Sequence, residues 1–554
     1  MLNGTATFLL VLAVLQPLHL LPWVSWHSEV LAFLAVLLLA LELTIQTFAK
    51  RQHFVQIPLS VTGWFLLVVV IVVQFFAGVI TYFGDALALI FYISLCVVAI
   101  IVGAHKKSLA HLPMAMLMAA SISTAIALTQ ALGVWDDLTW IAGVSSFRRP
   151  GANLVQPNQL ATLLMMGLAS LTYLYEAKRL GRMLGGLLLA LLVLGLTLTE
   201  SRTGLLSLVL MAAWVLAYRR IVGLRTQPMT VGLTVASLLG LLWAWPIFLT
   251  YFLAGGVVEG GFSEPMNTTA GTRLLVWPQL IAAVLQRPWF GWGLREVSEA
   301  HNAVLHAYST SEAFSYAHNI VLDFAVGMGI PLTVLAVLAI AVWACRRILA
   351  VKTLRAWYCL ALVLPLAVHS MLEFPFAYAY FLLPAMLAVG VLESELAPVN
   401  TILVPRTTVV SLLAVLTILM VWSVVEYVQV EEDFRVARFE ALHVGSTPSN
   451  YEQPQVVLLT QLGALLEGVR IVPQPGMSVE RMELSRKVAM RYPWTATQNR
   501  YALSLALNGN AAEARRQIQV MRAMHGEATH KSIMGNWKEL SETKYPQLKE
   551  FITP

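Results

Sequence analysis

Hydrophobic runs long enough to cross a membrane dominate this chain as far as residue 428. A membrane-spanning helix needs about 20 predominantly apolar residues. Hydrophobic residues make up 58% of the 554 and charged residues only 12%. A soluble domain has no core large enough to bury so much apolar surface. The sequence therefore predicts an all-α, polytopic helical membrane protein.

The runs predict about 12–13 transmembrane helices. The first run lacks a preceding basic segment and a convincing small-residue cleavage site, which favours a retained span over a removed signal peptide. The predicted segments are 5–24, 28–48, 60–82, 85–104, 112–133, 158–176, 183–199, 203–218, 230–253, 319–343, 356–372, 376–396 and 407–428.

Basic residues concentrate in alternate short loops, and such loops face the cytoplasm in polytopic proteins. They are Lys50, Arg51, Lys106, Lys107, Lys178, Arg179, Arg182, Arg219, Arg220, Arg225, Arg346, Arg347 and Arg355. The N-terminus is then cytoplasmic, and the outer loops are 134–157, 199–203, 254–317 and 369–376. An odd number of spans also sends the C-terminal residues to the outer side. Two domains follow: a transmembrane domain, 1–428, whose large outer loop is about 254–317, and a C-terminal domain, 429–554.

The C-terminal domain is more charged than the rest of the chain and shows helical periodicity. Ser478 is a typical helix start. Helices are predicted at 479–491, 495–508 and 510–524. The small residues between Ala502 and Ala514 resemble those of a tetratricopeptide-like hairpin. We expect this domain to dock on the membrane part or on a partner.

Six hydrophilic clusters interrupt the apolar segments, and the predicted topology puts all six on the outer side. Ionisable groups at the ends of spans are costly unless they perform a task. The clusters therefore indicate an active site at the outer membrane–water boundary. They cover residues 147–151, 156–158, 200–204, 271–273, 317–319 and 369–373.

Most basic residues near the spans lie in the predicted cytoplasmic loops, but four arginines are predicted on the outer side: Arg148, Arg149, Arg202 and Arg273. A planar guanidinium matches phosphate oxygens bidentately, so this set indicates an anionic ligand such as a diphosphate. The alternative is that each arginine extends to the interface or pairs with a local carboxylate such as Glu200 or Glu264.

His318 follows the long outer loop and precedes a span. A histidine that is neutral near pH 7 can accept a proton from a hydroxyl, and Asn319 can cap the following helix. The alternative is an interfacial histidine bonded to the backbone. Glu373 can orient His318, pair with an arginine or cap its own turn. Pro157 and Asn158 are assigned first to a structural role, the start of a helix.

Several classes of site are not expected. Cys96, Cys345 and Cys359 lie near or within spans, so no disulfide framework is predicted. No paired Cys, Cys/His or Asp-x-Asp pattern indicates a metal site. The basic residues flank spans, so a nucleic-acid partner is not implied.

Four stretches together resemble the O-antigen ligase and polymerase superfamily: 149–158, 200–204, 273–293 and 318–329. Within it the chain looks most like the bacterial O-oligosaccharyltransferases of the PglL type. The stretch 369–381 and the helical tail are similar to the protein-glycosylating branch. His318, Asn319 and Gly329 fit the ligase signature of the superfamily, whereas Leu332 departs from its last position.

The resemblance implies a GT-C-like glycosyltransferase of the bacterial inner membrane, with its active site facing the periplasm. It would transfer a glycan from an undecaprenyl-diphosphate carrier, with inversion at the anomeric carbon. Arg202 and Arg273 would bind the diphosphate and stabilise its charge as it leaves, and His318 would activate the acceptor hydroxyl. No nucleotide, metal or other cofactor would be needed. The residues expected to contribute to substrate binding are Arg148, Arg149, Asn319, His369 and Glu373.

The acceptor remains open at this stage. The tail and the stretch around Glu373 favour a Ser or Thr of a pilin-like protein as the acceptor. If the acceptor is lipid A core, the chain is an O-antigen ligase. If the acceptor is another glycan, the chain is an O-antigen polymerase. A secondary transporter is the alternative of a different class. Transporters place polar sites at the membrane midplane, often between internal repeats. Here the clusters map to span ends and no repeat is evident, which disfavours transport.

Overall fold

A computed structural model describes residues 2–105, 111–134, 138–143, 149–248, 270–396 and 401–552. The described ranges form nineteen α-helices and one two-stranded antiparallel ribbon. Nine of these helices are long and apolar enough to cross a membrane. The predicted all-α, polytopic membrane fold is confirmed.

Each of the thirteen predicted spans overlaps one helix, namely α1–α9 and α12–α15, although the first span was predicted at 5–24 and its helix ends at Leu15. The helices are α1 (Leu2–Leu15), α2 (Trp26–Ala49), α3 (Thr62–Phe76), α4 (Phe83–His105), α5 (Leu112–Leu132), α6 (Pro157–Glu176), α7 (Arg182–Thr199), α8 (Arg202–Val222), α9 (Pro228–Phe248), α10 (Ala270–Gln286), α11 (Val297–Leu305), α12 (Ile320–Ala350), α13 (Leu354–Ser370), α14 (Ala379–Glu395), α15 (Arg406–Ala441), α16 (Thr460–Gly468), α17 (Val479–Arg491), α18 (Thr495–Leu507) and α19 (Ala511–Thr543). The ribbon, which the sequence did not predict, pairs β1 (Phe54–Pro58) with β2 (Thr401–Pro405).

The chain divides into two compact units. Unit 1 comprises residues 1–66, 91–267 and 340–420, and unit 2 comprises 67–90, 268–339 and 421–554. The proposed boundary at residue 428 lies inside α15, which continues through it without a break. The division into 1–428 and 429–554 therefore stays a prediction.

Unit 1 is a helical bundle in which α6 and α14 are buried over most of their length. Glycines allow α4 and α14 to pack backbone against backbone. A Cβ added at Gly103 would lie 2.1 Å from the Leu387 carbonyl oxygen, and one at Gly390 would lie 2.1 Å from that of Ile100. Close approach through small residues is typical of helix packing in membranes.

The loops of unit 1 meet in the two sets that the alternating topology predicts. On the predicted cytoplasmic side, β1 pairs with β2, and the Glu176 carboxylate accepts the backbone N–H groups of Arg225 and Thr226 at 2.6 and 2.8 Å. On the predicted outer side, Asn158 bonds to Glu373 at 2.7 Å. The basic loops and the polar clusters therefore gather at opposite ends of the helices.

Unit 2 contains the tail together with part of the large predicted outer loop. Both α17 and α19 pack against α11. The Arg516 guanidinium donates to the carbonyl oxygens of Asn302 and Ala303 at 3.0 and 3.2 Å. Arg486 pairs with Glu299 at 3.3 Å. The tail thus docks on this loop through the carbonyls and one carboxylate of α11.

The tail helices agree with the sequence for the most part. Two of them, α17 and α18, match the predicted helices to within a residue, and Ser478 caps α17 by accepting the Arg481 N–H at 3.3 Å. The third, α19, bends at Gly526 and continues to Thr543, well beyond the predicted end at 524. The short helix α16 was not predicted.

A buried ion pair joins the start of α4 to the end of α17 within unit 2. The Arg491 guanidinium donates bidentately to Asp85, with distances of 2.7 and 2.8 Å. Arg295 lies 3.7 Å from the same carboxylate. Removing a charge from water is costly unless it is paired and hydrogen-bonded, and both conditions are met here.

Candidate active site

In unit 1 the polar clusters gather where α6 and α8 begin. Pro157 occupies the first position of α6, where its missing N–H costs nothing. The Gln156 side chain caps this helix by accepting the Gln159 N–H at 2.6 Å. Ser201 caps α8 by accepting the Gly204 N–H at 3.1 Å. The structural role predicted for Pro157 and Asn158 at a helix start is confirmed.

A hydrogen-bond chain connects these helix starts to the end of α13. The Ser201 hydroxyl donates to Asn158 Oδ1 at 2.6 Å, and Asn158 Nδ2 donates to Glu373 Oε1 at 2.7 Å. Gln156 Nε2 donates to the other oxygen of Glu373 at 2.8 Å. The Glu373 carboxylate therefore joins the start of α6 to the turn after α13, which is more than a cap of its own turn.

His369 continues this chain inside the bundle, where it is fully buried. Its Nε2 lies 3.0 Å from Glu373 Oε2, and its Nδ1 lies 2.8 Å from the Thr162 hydroxyl. Both ring nitrogens are thus satisfied, so His369 holds Glu373 in place from within the protein. This arrangement assigns His369 to positioning rather than to direct substrate contact.

The arginines of unit 1 lie around the same helix ends. Arg202 is the first residue of α8 and is exposed, so its guanidinium is accessible beside a helix N-terminus that favours anions. Arg149 Nε donates to the Thr199 carbonyl oxygen at the end of α7 at 3.1 Å. Arg148 lies outside the described residues. The structure therefore brings Arg149, Arg202 and Glu373 to one end of unit 1.

In unit 2, His318 adopts an unusual backbone conformation, with a φ of 56°. Its Nδ1 lies 3.0 Å from the carbonyl oxygen of Tyr316, and the Phe314 ring packs edge-on at 4.4 Å. Because a carbonyl oxygen only accepts, this contact places the proton of a neutral imidazole on Nδ1. The lone pair then resides on Nε2, which is the arrangement required of a general base.

Neighbouring side chains fix the two peptide groups of Ala317, the residue before His318. Trp277 Nε1 donates to the Ala317 carbonyl oxygen at 2.9 Å, and Asp323 accepts the Ala317 N–H at 2.9 Å. Asn319 caps α12 by accepting the N–H groups of Val321 and Leu322 at 3.0 and 3.1 Å, as predicted.

Arg273 lies on α10, the helix that carries Trp277. The two residues are four positions apart, so they lie on the same side of the helix. Because Trp277 bonds to the residue before His318, α10 is held against the His318 peptide. Arg273, His318 and Asn319 thus belong to one group in unit 2, whereas Arg149, Arg202, His369 and Glu373 belong to the group in unit 1.

Apart from Arg148 and Arg149, the predicted site residues fall within the matches to known families. A protein glycosylation ligase profile matches residues 150–175, and an O-antigen ligase profile matches 187–337. A profile of the virulence factor membrane-bound polymerase, C-terminal, matches residues 357–537.

Curated relatives extend the match over nearly the whole chain. A general O-oligosaccharyltransferase of Acinetobacter baylyi is 26% identical over 544 residues, which is 93% of this chain and 91% of the relative. A ComP-specific O-oligosaccharyltransferase of the same organism is 26% identical over 381 residues, 67% of each chain.

The chain is therefore similar to O-antigen ligases and to O-oligosaccharyltransferases. The resemblance expected from the motifs, including that to the PglL-type O-oligosaccharyltransferases, is confirmed.

The glycine that fits the ligase signature, Gly329, has a steric explanation in this structure. Gly329 bends α12 with a φ of 78°. A Cβ at this position would lie 2.5 Å from the carbonyl oxygen of Trp289, closer than any side chain permits. Only glycine combines a positive φ with so close an approach. The kink therefore brings the loop around Trp289 against α12, below His318.

Residues with a positive φ concentrate in or beside the motif stretches. Eight non-glycine residues in the described ranges have a positive φ, and five of these lie in or beside the motif stretches. Such conformations cost about 1–3 kcal/mol each and cluster at functional sites. The five are Ala152, Val155, Glu200, Arg295 and His318.

Sequence reasoning missed several supporting residues. Trp277 and Asp323 lie within the motif stretches, but no role was predicted for them. No role was predicted for Thr162 either. Glu296 was also missed. Its Oε1 accepts the Thr81 N–H at 2.9 Å, and burial, assisted by the charge of Asp85, raises the pKa of its carboxyl to about 7. The usable signal for Glu296 was its place just after the motif stretch 273–293.

No metal site is found in the ranges that the structure describes: no three His, Cys, Asp or Glu side chains converge there.

Proposed function

We propose that the chain transfers a glycan en bloc from an undecaprenyl-diphosphate carrier to a Ser or Thr hydroxyl of a periplasmic, pilin-like protein. The transfer inverts the anomeric carbon and requires neither metal nor nucleotide. Two relatives named as O-oligosaccharyltransferases and the match to the protein glycosylation ligase profile support a protein acceptor.

The geometry of His318 carries the catalytic part of the proposal. Its Nδ1 lies 3.0 Å from the Tyr316 carbonyl oxygen, a contact that favours the tautomer with its lone pair on Nε2, the atom assigned here as the proton acceptor. A positioned base of this kind typically accelerates a reaction about 10²–10⁴-fold. The strained backbone and the fixed Ala317 peptide preorganise the ring before the acceptor binds.

Arg202 and Arg273 are assigned to the diphosphate. Each begins or nearly begins a helix, so backbone N–H groups and the helix dipole add to the guanidinium charge. Charge accumulates on the diphosphate as its bond to the sugar breaks, and cations placed there stabilise the transition state more than the ground state. Arg148 and Arg149 are proposed to bind the same anionic group. Within unit 1, His369 and Glu373 are proposed to position the polar groups beside Arg202, and within unit 2, Asn319 is proposed to hold the start of α12 beside His318.

In the proposed step, His318 Nε2 takes the proton from the acceptor hydroxyl. The acceptor oxygen bonds to the anomeric carbon from the side opposite the diphosphate. The carbon–oxygen bond to the diphosphate breaks, and its electron pair stays on the phosphate oxygen. The products are the glycosylated protein, undecaprenyl diphosphate and a protonated His318, which then loses its proton to solvent.

The proposed location is the bacterial inner membrane, with the site facing the periplasm. The positive loops of unit 1 gather at one end of the helices and the polar clusters at the other, which supports opposite sides for the two sets. An undecaprenyl donor in the outer leaflet would present its diphosphate at this level.

A reconstituted transfer assay tests the proposal. The purified chain would receive an undecaprenyl-diphosphate oligosaccharide and either a pilin-like protein or lipid A core, with EDTA present. Glycan on a Ser or Thr of the protein is expected. Loss of transfer on adding EDTA would contradict metal independence.

The ligase and polymerase reactions are the second candidates, because the O-antigen ligase and polymerase profiles match as well. These reactions use the same glycan donor as the proposed reaction and differ from it only in the acceptor. Glycan found solely on lipid A core, or solely on another lipid-linked glycan, would assign the chain to one of them instead.

A further inference from the structure

The outward face of α10 is apolar. Over residues 273–286, the part of this helix whose exposure the structure describes, the exposed side chains are Leu274, Leu275, Pro278, Ile281, Leu285 and Gln286, so five of the six are apolar. The opposite face packs into the core of unit 2 through Val276, Leu280 and Ala283. A helix with one face in the core normally presents charged and polar residues outward, so water is not the expected neighbour of this face.

Two large aromatic residues extend the apolar face beyond the end of the helix. Trp289 is 70% exposed and Phe290 is 81% exposed. Next to them, the Arg287 guanidinium stacks on the Trp292 ring, 3.9 Å from its centroid. Aromatic side chains beside a cationic one are characteristic of segments anchored at a membrane–water boundary.

Backbone hydrogen bonds tie this turn to a defined level of α12. The Trp292 N–H donates to the Val326 carbonyl oxygen at 2.7 Å, and the Gly293 N–H donates to that of Gly327 at 3.1 Å. The Ile330 N–H donates to the Pro288 carbonyl oxygen at 2.7 Å. The turn therefore cannot lie far from this part of α12, whatever surrounds it.

The length of α12 gives the depth of that level. The apolar part of the helix ends at Arg346 and Arg347. A helix crosses the hydrocarbon core in about 20 residues, so counting back from Arg346 places the outer boundary of the hydrocarbon near Val326. Ile330 is four residues further in, or about 6 Å at 1.5 Å per residue. Pro288, bonded to Ile330, is thus at or below the boundary of the hydrocarbon.

A second helix of unit 2 marks the same level. The Gln74 side chain, near the end of α3, donates to the Gly327 carbonyl oxygen at 2.8 Å and accepts the Leu294 N–H at 3.1 Å. Phe76, two residues later, is 83% exposed. An apolar helix that ends in an exposed aromatic residue is typical of an aromatic belt, so α3 and the turn meet the interface together.

We propose that the last turns of α10 and residues 287–290 form a re-entrant anchor inserted among the phospholipids at the Ile320 end of α12. Leu285, Trp289 and Phe290 contact acyl chains, and Arg287 binds a headgroup phosphate. Because α10 also carries Arg273, the anchor sets the height of that guanidinium above the hydrocarbon. This lipid contact does not depend on the proposed reaction.

Spin-label accessibility tests the anchor in the full chain within phosphatidylcholine–phosphatidylglycerol nanodiscs. Cys345, the exposed cysteine, is first replaced by serine, while the buried Cys96 and Cys359 are retained. A nitroxide is then attached at Phe290→Cys. The references are Leu335→Cys on the exposed face of α12, for lipid, and the exposed Ser309→Cys, for water.

The collision rate with oxygen, which prefers lipid, is compared with that of a water-soluble nickel complex. The oxygen-to-nickel ratio at Phe290 should exceed that at Ser309 several-fold and lie below that at Leu335, because Leu335 is near the middle of the membrane-spanning part of α12. A ratio equal to that at Ser309 would show a solvated turn. Low collision rates with both reagents would show a protein contact instead. Either of these results overturns the proposal, and Leu285→Cys repeats the test if the Phe290 variant does not elute as folded protein.

Discussion

The imidazole Nδ1 of His318 lies 3.0 Å from the carbonyl oxygen of Tyr316. This contact selects the tautomer in which Nε2 carries the lone pair, and it does so from a residue held at positive φ. A histidine that served only as an interfacial hydrogen-bonding group would not need this strained backbone. The relationship therefore connects local conformation directly to the proposed role as base.

The two arginines assigned to the diphosphate should be individually essential for rate. We expect Arg202→Ala and Arg273→Ala each to lower the transfer rate about 10²–10³-fold, the usual loss when one charge-stabilising group is removed. Lysine at either position should recover only part of the rate, since it lacks the bidentate geometry. Single-turnover transfer measures both effects.

Arg220→Ala is the matched control for this pair, because Arg220 is exposed at the other end of α8. Its rate should equal that of the unmodified chain. Normal transfer by either Arg202→Ala or Arg273→Ala would remove that arginine from the mechanism.

The Glu373 network should contribute measurably to stability. In Glu373→Gln, one carboxylate oxygen becomes an amide that cannot accept from Asn158, Gln156 and His369 together. A buried group left unsatisfied costs about 1–3 kcal/mol, so the unfolding temperature in detergent should fall. Glu395→Gln is the control, because its pair with Arg355 is partly exposed and should be worth about 0–1 kcal/mol. Equal unfolding temperatures for the two variants would argue against the network.

The Asp85–Arg491 pair should be among the most sensitive structural contacts of unit 2. Arg491→Met leaves the buried Asp85 with only Arg295, at 3.7 Å. Breaking a buried pair on one side typically costs about 3–5 kcal/mol. The control is Arg435→Met, whose pair with Glu432 is exposed. Thermal unfolding monitored by tryptophan fluorescence compares them, and a shift no larger than that of the control would contradict this assignment.

Glu296 should make stability depend on pH in a specific direction. Its pKa is raised from 4.5 to about 7 in the folded protein, chiefly by burial. The folded state then binds more protons than the unfolded state between these values, so this carboxyl destabilises the fold as pH rises from about 4.5 to 7. The full difference is on the order of 3 kcal/mol.

Glu296→Gln removes this titration while its side-chain oxygen can still accept the Thr81 N–H. The gain in unfolding temperature over the unmodified chain should therefore grow from pH 4.5 to 7 and then level off. His301, whose pKa burial lowers to about 4, contributes with the opposite sign between pH 4 and 6.5. Because His301 is present in both chains, it cancels in the comparison. A difference that is constant with pH would contradict the assignment to Glu296.

Much of the fold was predictable because membrane helices are determined by local composition. Short stretches of sequence predict the helices at the thirteen spans, the helix start at Pro157 and the caps at Ser478 and Asn319. The ends of α19 were harder, since Gly526 bends that helix without ending it.

The contacts that hold the site were less predictable because they join distant parts of the chain. Asn158 and Glu373 are 215 positions apart, and Asp85 and Arg491 are 406 positions apart. Topology placed Asn158 and Glu373 on the same side of the membrane but could not pair them. For Asp85, the only local signal was a lone carboxylate at the start of an apolar span.

His318→Asn is the most direct test of the account, because asparagine tolerates the positive φ at this position yet cannot serve as the base. In the reconstituted assay, we expect a correctly folded His318→Asn protein to lose about 10²–10⁴-fold in transfer rate. His306→Asn, an exposed histidine at the end of α11, should retain the full rate. If His318→Asn transfers glycan as fast as the His306 control, His318 is not the base and the proposed mechanism is wrong.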